Sequence, residues 1–149
     1  MSELWTRWLL FASLGVTVAG ACFAFVFPYF LPQVLEVYFF ELTGEGFASL
    51  SADELRFFNL LSGVIGGTMF GWGLLLTMLS LRLQRVDQDW AWAALAVSAI
   101  GWFIVDTTAT VLVRSLTNTI LNLTILLVIL PPLVAQRARV VQGMKQLMR

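Results

Sequence analysis

The chain has no histidine, a single cysteine and few charged residues. Only 12% of its 149 residues are charged, whereas a soluble domain of this size carries about 25%. Without histidine, His-ligated haem, zinc and copper are excluded, as is every catalytic pair with a histidine base. The lone Cys22 can form neither an intramolecular disulfide nor a thiolate cluster. We therefore expect a protein with no metal, no cofactor and no catalytic residues, and hence not an enzyme.

Long apolar runs take the place of the missing charge. The nine basic and nine acidic residues balance, and no basic stretch is dense enough for a nucleic-acid surface. A helix needs about 20 apolar residues to cross a bilayer, and four runs approach or exceed that length. The sequence predicts an all-α, multi-pass membrane protein in which residues 1–149 form one bundle of four transmembrane helices, at about 8–31, 56–83, 90–113 and 116–135.

The placement of basic residues predicts the orientation. If all four helices span, most of the basic residues fall on one side: Arg7, Arg82, Arg85, Arg137, Arg139, Lys145 and Arg149. Basic loops stay in the cytoplasm, so both termini should be cytoplasmic. The tail over 136–149 alternates apolar and basic residues, which is typical of a helix resting on an anionic leaflet.

The connection between the first two helices is long, acidic and on the opposite, outer side. Leu35, Tyr38, Phe39 and Leu42 recur at helical spacing, which predicts a short amphipathic outer helix. Its acidic residues fit a solvated face; the alternative is a lid or a docking surface for a cationic partner. Ser51 and Glu54 match a capping box, so the second helix should begin there.

A stripe of small residues predicts close helix packing. On the second run, a polar residue and three glycines recur at every fourth position: Asn59, Gly63, Gly67 and Gly71. Such a stripe lets two helix backbones approach closely in lipid. The first run carries a matching set at Ser13, Thr17 and Ala21. We expect the first two helices to touch through these faces; the alternative is that the glycine stripe is a contact between copies.

Polar residues also cluster on the third and fourth runs. On the third run four residues follow one face at every fourth position: Trp102, Asp106, Thr110 and Arg114. The next connection is short, so the fourth helix should return antiparallel beside the third. Asn118 and Asn122 would then pass Thr110 and approach Asp106. These six residues form the predicted binding site, with Arg114 reaching inward or toward the surface.

Asp106 has three possible roles. A charged residue at the centre of a membrane helix costs about 2.5–3.5 kcal/mol by insertion scales. It can be a polar clasp that locks the third and fourth helices through Asn122. It can orient a polar head group in a pocket that opens to the outer leaflet, beside Trp102. It can also lie on a proton or cation path, although the other three runs supply no further titratable group.

Parts of the chain resemble a known family. The segments Phe58–Gly63, Gly71–Gly73, Gly101–Asp106, Asn118–Leu123 and Pro131–Leu133 are similar to those of the BphX-like family of small bacterial four-helix membrane proteins, itself similar to DoxX-like proteins. The resemblance covers roughly Phe57 to Leu133. It implies a four-helix fold and, as the location, a bacterial-type inner membrane, but little chemistry. The positions that match the shared pattern are Asn59, Gly71, Trp72, Trp102, Asp106 and Asn122.

Together these features predict a non-catalytic membrane protein with a polar pocket around Asp106. We expect a binding or accessory subunit that self-associates or joins a larger membrane complex. Its partners are the bilayer itself and a lipid or other amphipathic ligand. The alternative is a small proton-coupled channel or carrier that uses Asp106.

Overall fold

Four long helices dominate the fold. A computed structural model describes residues 2–85 and 88–148 of the chain, except the side chain of Ser2; Arg149 lies outside them. Four helices are long and apolar enough to cross a membrane, which confirms the predicted all-α fold with four candidate spans. We name them the first to fourth spans: Glu3–Tyr29, Ala52–Arg85, Asp89–Leu112 and Leu116–Ala135. The described residues also form two shorter α-helices, the loop helix Pro32–Thr43 and the C-terminal helix Arg137–Leu147, and a single 3₁₀ turn, Phe47–Ser49.

The first span changes its helical pitch before it ends. Its α-helix Ser2–Ala21 passes into a π-helical turn, Cys22–Val26, and then a last turn, Phe27–Tyr29. Pro28 in that last turn has no N–H to donate to the preceding turn, so regular α-helical bonding cannot run through it. The chain breaks at Leu31 (φ −135°, ψ 56°), because the residue before a proline disfavours helical angles.

The predicted capping box locates the start of the second span. It begins at Ala52 rather than near 56, because Ser51 and Glu54 form the predicted capping box. The Ser51 N–H donates to Glu54 Oε2 at 2.8 Å, and the Glu54 N–H donates to Ser51 Oγ at 3.3 Å. At about 1.5 Å per residue, its 34 residues span about 50 Å. This length exceeds the roughly 30 Å hydrocarbon thickness, so its ends project beyond the apolar layer.

The first two spans pack closely, but not through the predicted glycine stripe. A Cβ added at Gly66 would meet the Gly20 carbonyl oxygen at 2.6 Å, and one at Gly73 would meet Thr17 Oγ1 at 2.6 Å. A Cβ at three other glycines would meet nothing within 4 Å: Gly63, Gly67 and Gly71. The predicted contact through that stripe is therefore wrong for this pair of spans. The stripe lies on another side of the helix; as a contact between copies it stays a prediction.

The predicted polar partners on the first span do face the second. Ser13 Oγ lies 3.3 Å from Ser80 Oγ, and Thr17 Oγ1 lies 3.5 Å from Thr77 Oγ1. These side chains are buried, and the first-span hydroxyls also donate to their own helix at Leu9 and Ser13. Serine and threonine side chains are small, so they allow the two helix backbones to approach closely where the spans cross.

The buried apolar core lies toward the end of the bundle where the first span begins and the fourth ends, which we name the terminal end. Trp92 is fully buried there, among Leu9, Leu76 and Leu133. The C-terminal helix joins this core: Gly143 lies so close to the backbone of Asp89 that a Cβ there would collide with the Asp89 carbonyl. One side of the basic tail therefore packs on the start of the third span, while its other side is exposed.

Two tryptophan hydrogen bonds join the spans across the bundle. The Trp8 Nε1–H donates to the Val128 carbonyl at 2.8 Å and ties the first span to the fourth. The Trp72 Nε1–H donates to Ser98 Oγ at 2.6 Å and ties the second span to the third. We name the opposite end of the bundle, where the loop helix lies, the loop end. Toward this end a cavity lies between two pairs of spans, the first with the second and the third with the fourth.

Candidate functional site

The cavity is a long apolar space between the two pairs of spans. Its volume is about 920 Å³, which is near the upper end of the range for small-molecule pockets. It runs from Trp8 and Val128 toward the loop end, where Leu42 and Ser115 line it. At about 1.5 Å per residue, the wall from Trp8 to Phe23 alone is about 20 Å long. A space of this size can hold an extended hydrocarbon chain.

The cavity also reaches the surface of the spans. Several of its wall residues are exposed apolar side chains, including Phe11 on the first span, Ile65 on the second and Val128 on the fourth. If the spans cross a bilayer, these side chains face lipid rather than water. A hydrophobic molecule could therefore enter sideways from the bilayer without crossing an aqueous gap.

A cluster of hydrogen-bonded polar side chains forms one part of the cavity wall, toward the loop end. Asp106 Oδ2 accepts from Asn122 Nδ2 at 2.6 Å and from Asn118 Nδ2 at 3.2 Å. Asn118 Nδ2 also donates to Thr110 Oγ1 at 2.7 Å, and Asn122 Nδ2 to Thr107 Oγ1 at 3.3 Å. The third and fourth spans are antiparallel neighbours, so residues four apart on each meet in register. We name these five residues the polar cluster.

The cluster is buried on one side and open on the other. Asn122 is 1% exposed and Thr110 is 6% exposed, while Asp106 and Asn118 are half-buried. Four of the five line the cavity: Asp106, Thr110, Asn118 and Asn122. Because unpaired polar groups are costly away from water, their mutual bonds make the cluster tolerable in an apolar setting. Its open side leaves polar atoms within reach of an occupant.

The structure brings together five of the six predicted site residues. Trp102 lines the same cavity, where its ring stacks on Trp72 with centroids 5.5 Å apart and a tilt of 33°. Arg114 does not join them. It is exposed, it is absent from the cavity wall, and its φ of 60° places it at the turn into the fourth span. Arg114 therefore belongs to the turn that reverses the chain and not to the helix of the third span, so its side chain does not continue the face that carries Asp106 and Thr110.

The predicted helix-packing residues lie elsewhere. Asn59, Gly63 and Gly67 border a second, shallower groove together with Arg56 and Phe25. That groove is formed by the first and second spans and shares no lining residue with the large cavity. The stripe is therefore not part of the polar site.

The loop helix closes one end of the cavity, and Glu41 holds it there. Leu35, Tyr38 and Leu42 of this helix line the cavity. Glu41 Oε2 accepts from Ser115 Oγ at 2.7 Å, and Oε1 accepts from the backbone N–H groups of Leu116 and Thr117 at 2.6 and 2.9 Å. The first N–H groups of a helix lack partners and attract negative charge. Glu41 thus caps the fourth span from a distant segment.

These contacts change the acid–base behaviour of the loop helix. Donation by the Ser115 hydroxyl, and then by the Thr117 N–H, holds the pKa of Glu41 below its ordinary 4.5. Burial, and then the neighbouring Glu41, raise the pKa of Tyr38 above its ordinary 10.0. At neutral pH the loop helix therefore presents an ionised carboxylate to the fourth span and a neutral hydroxyl on the cavity side.

Sequence reasoning missed the role of Glu41. The acidic connection predicts a solvated face, or a lid or docking surface, but its sequence does not indicate which residue would hold such a lid. The available signal was the start of the fourth span, where Ser115 caps its own helix at Asn118 N but the N–H groups of Leu116 and Thr117 need another acceptor. Three acidic residues lie between the first two spans, Glu36, Glu41 and Glu45, and nothing in their spacing selects Glu41.

The site resembles a binding pocket in its chemistry. Within residues 2–85 and 88–148, no three Asp, Glu or Cys side chains gather as metal ligands would. The polar cluster offers hydrogen bonds at one place on an otherwise apolar wall. Such a wall with a few fixed polar groups is the usual form of a small-molecule site.

Comparison with protein-family models, with curated proteins and with solved structures gives no match in any of the three. The resemblance to the BphX-like family therefore stays a prediction. What indicates a function is the cavity with its polar cluster.

Proposed function

We propose that this membrane protein binds one amphipathic, lipid-like molecule in the cavity and performs no catalysis on it. The apolar part of the molecule lies along the wall between the two pairs of spans, and its head lies against Asp106. The observation that carries this proposal is the polar cluster on one part of a long apolar cavity of about 920 Å³. Burial of each CH₂ group contributes about 0.8 kcal/mol, so a long chain supplies most of the affinity.

The setting of the protein belongs to the same proposal. The distribution of basic residues supports an orientation with both termini in the cytoplasm, and the resemblance to the BphX-like family supports a bacterial-type inner membrane. An added Cβ at Gly63, Gly67 or Gly71 would meet nothing within 4 Å. These glycines supply a strip of small residues on which a second copy or a larger membrane complex can pack. In this arrangement the protein acts as a binding or accessory subunit that holds its ligand within the bilayer.

The decisive experiment fills the cavity. Gly15 lines it, and a Cβ there meets nothing within 4 Å, so Gly15→Phe places a ring in the cavity without a clash at the backbone. Gly101 has the same freedom but does not line the cavity, so Gly101→Phe is the matched control. Each protein is purified in nanodiscs of native lipid, transferred to mild detergent and weighed by native mass spectrometry.

The wild type and Gly101→Phe should each carry one bound amphiphile that Gly15→Phe lacks, while all three keep the same helix content by circular dichroism. A wild type that carries no amphiphile would overturn the proposed function. So would a Gly15→Phe protein that folds normally and retains the wild-type amount.

A further inference from the structure

The hydrogen bonds of the polar cluster also indicate what kind of head group it accepts. We propose that the occupant presents a hydrogen-bond donor, a hydroxyl or an amine, to Asp106, and that anionic head groups are excluded. This inference rests on the proposed function, because it concerns the head of the molecule that the cavity holds.

The amide donors of the cluster are already used. Both asparagines direct their Nδ2 groups at partners inside the cluster: Asn122 to Asp106 and Thr107, and Asn118 to Asp106 and Thr110. An amide nitrogen has two hydrogens, so neither has one left for a ligand. For an ionised Asp106 the amides cannot be turned over, because an amide oxygen would then face the carboxylate oxygen with no hydrogen between them.

Some acceptor atoms of the cluster, in contrast, receive no hydrogen bond from the described residues. Asp106 Oδ2 receives both amides, whereas no donor in residues 2–85 and 88–148 bonds to Oδ1. The side-chain oxygens of Asn118 and Asn122 also receive no hydrogen bond from those residues. A carboxyl oxygen at the wall of an apolar cavity gains most from a donor, and hydrogen bonds to charged groups contribute about 1.5–3 kcal/mol. The unmet need of this site is therefore for donated hydrogens.

Charge favours the same kind of head. No lysine or arginine among the described residues lies on the cavity wall, and Arg114, the predicted basic member of the site, is exposed at the turn. Two carboxyl groups lie at or beside this part of the wall, Asp106 and Glu41, the second of which bonds to the wall residue Ser115. The side-chain donors that remain on the wall are neutral: the Trp102 indole N–H, the Tyr38 hydroxyl and the Thr110 hydroxyl. An anionic head would lose its hydration here without gaining a cation.

Three amphiphiles of equal chain length test the inference: hexadecanol, hexadecylamine and hexadecanoic acid. Each is titrated into delipidated protein in detergent and quantified by native mass spectrometry, with Gly15→Phe defining non-specific uptake. From the strength of a hydrogen bond to a carboxylate, the alcohol or the amine should bind at least about ten-fold more tightly than the acid. A preference for the amine over the alcohol indicates a cationic head, and equal binding indicates a neutral one.

The variant Asp106→Asn assigns the preference to this residue. It keeps an oxygen that can accept from both asparagines but removes the carboxylate, so the advantage of the amine over the acid should fall at least about three-fold. If the acid binds as tightly as the other two, the head-group inference is wrong although the cavity binds amphiphiles. If the wild-type preference survives unchanged in Asp106→Asn, Asp106 is not the acceptor. If none of the three binds above the Gly15→Phe background, the proposed function itself fails.

Discussion

Two adjacent glycines of the second span should respond in opposite ways to the same substitution. A methyl group at Gly66 would meet the Gly20 carbonyl oxygen at 2.6 Å and Ala24 Cα at 2.8 Å, well inside ordinary contact, so the first two spans must move apart. Over-packing of this kind costs about 1–3 kcal/mol. A methyl at Gly67 meets nothing within 4 Å, and alanine is a better helix former than glycine by about 0.8–1 kcal/mol.

Gly66→Ala should therefore lower the free energy of unfolding by about 1–3 kcal/mol, whereas Gly67→Ala should leave it unchanged or raise it by up to about 1 kcal/mol. Unfolding in mixed micelles with increasing sodium dodecyl sulfate, followed by circular dichroism, measures both. A second pair, Gly73→Ala and Gly71→Ala, repeats the comparison two turns away in a close contact and in open space. Equal losses within each pair would refute the assignment of the packing face.

Three further outcomes are expected. Folding lowers the pKa of Glu41, so the ionised carboxylate stabilises the protein at pH values above its ordinary pKa of 4.5. This stabilisation is lost as the pH falls through the lowered pKa. The Tm of the wild type should therefore exceed that of Glu41→Gln at neutral pH, and the difference should shrink in acid. Asp106→Leu should cost about 1–2 kcal/mol of unfolding free energy because it removes the acceptor that the two asparagine amides share, while Asp106→Asn should cost little. Equal losses would mean that the carboxyl oxygen is not a clasp. A cysteine in place of Glu45 should react with a membrane-impermeant maleimide from outside intact cells, and labelling from the cytoplasmic side alone would contradict the predicted orientation.

The spans and the polar cluster could be predicted because local features determine them. The length of each apolar run indicates a helix directly, and the capping box at Ser51 locates one start. The third and fourth spans are joined by a turn of only a few residues, which forces them to run side by side. Their register is then set, and Asn118 and Asn122 reach Asp106.

The packing face of the second span could not be predicted in the same way. The helix carries glycines on two sides, one with Gly66 and Gly73 seven residues apart, the other with the period-four stripe. Both patterns permit close approach, and a single sequence does not rank them. The deciding factor is where the first span lies, and that depends on the long connection between the two helices. The same connection hid Glu41, whose partners lie 74 to 76 residues further along the chain.

That separation has a consequence for how the protein is made. When the loop helix first leaves the ribosome, the residues that Glu41 will bind, Ser115 to Thr117, have not yet been synthesised. The carboxylate must stay hydrated, and the loop helix undocked, until the fourth helix enters the membrane. Completion of the last span is thus the event that closes the cavity, so a chain truncated before residue 115 should retain a loop that proteases can cut.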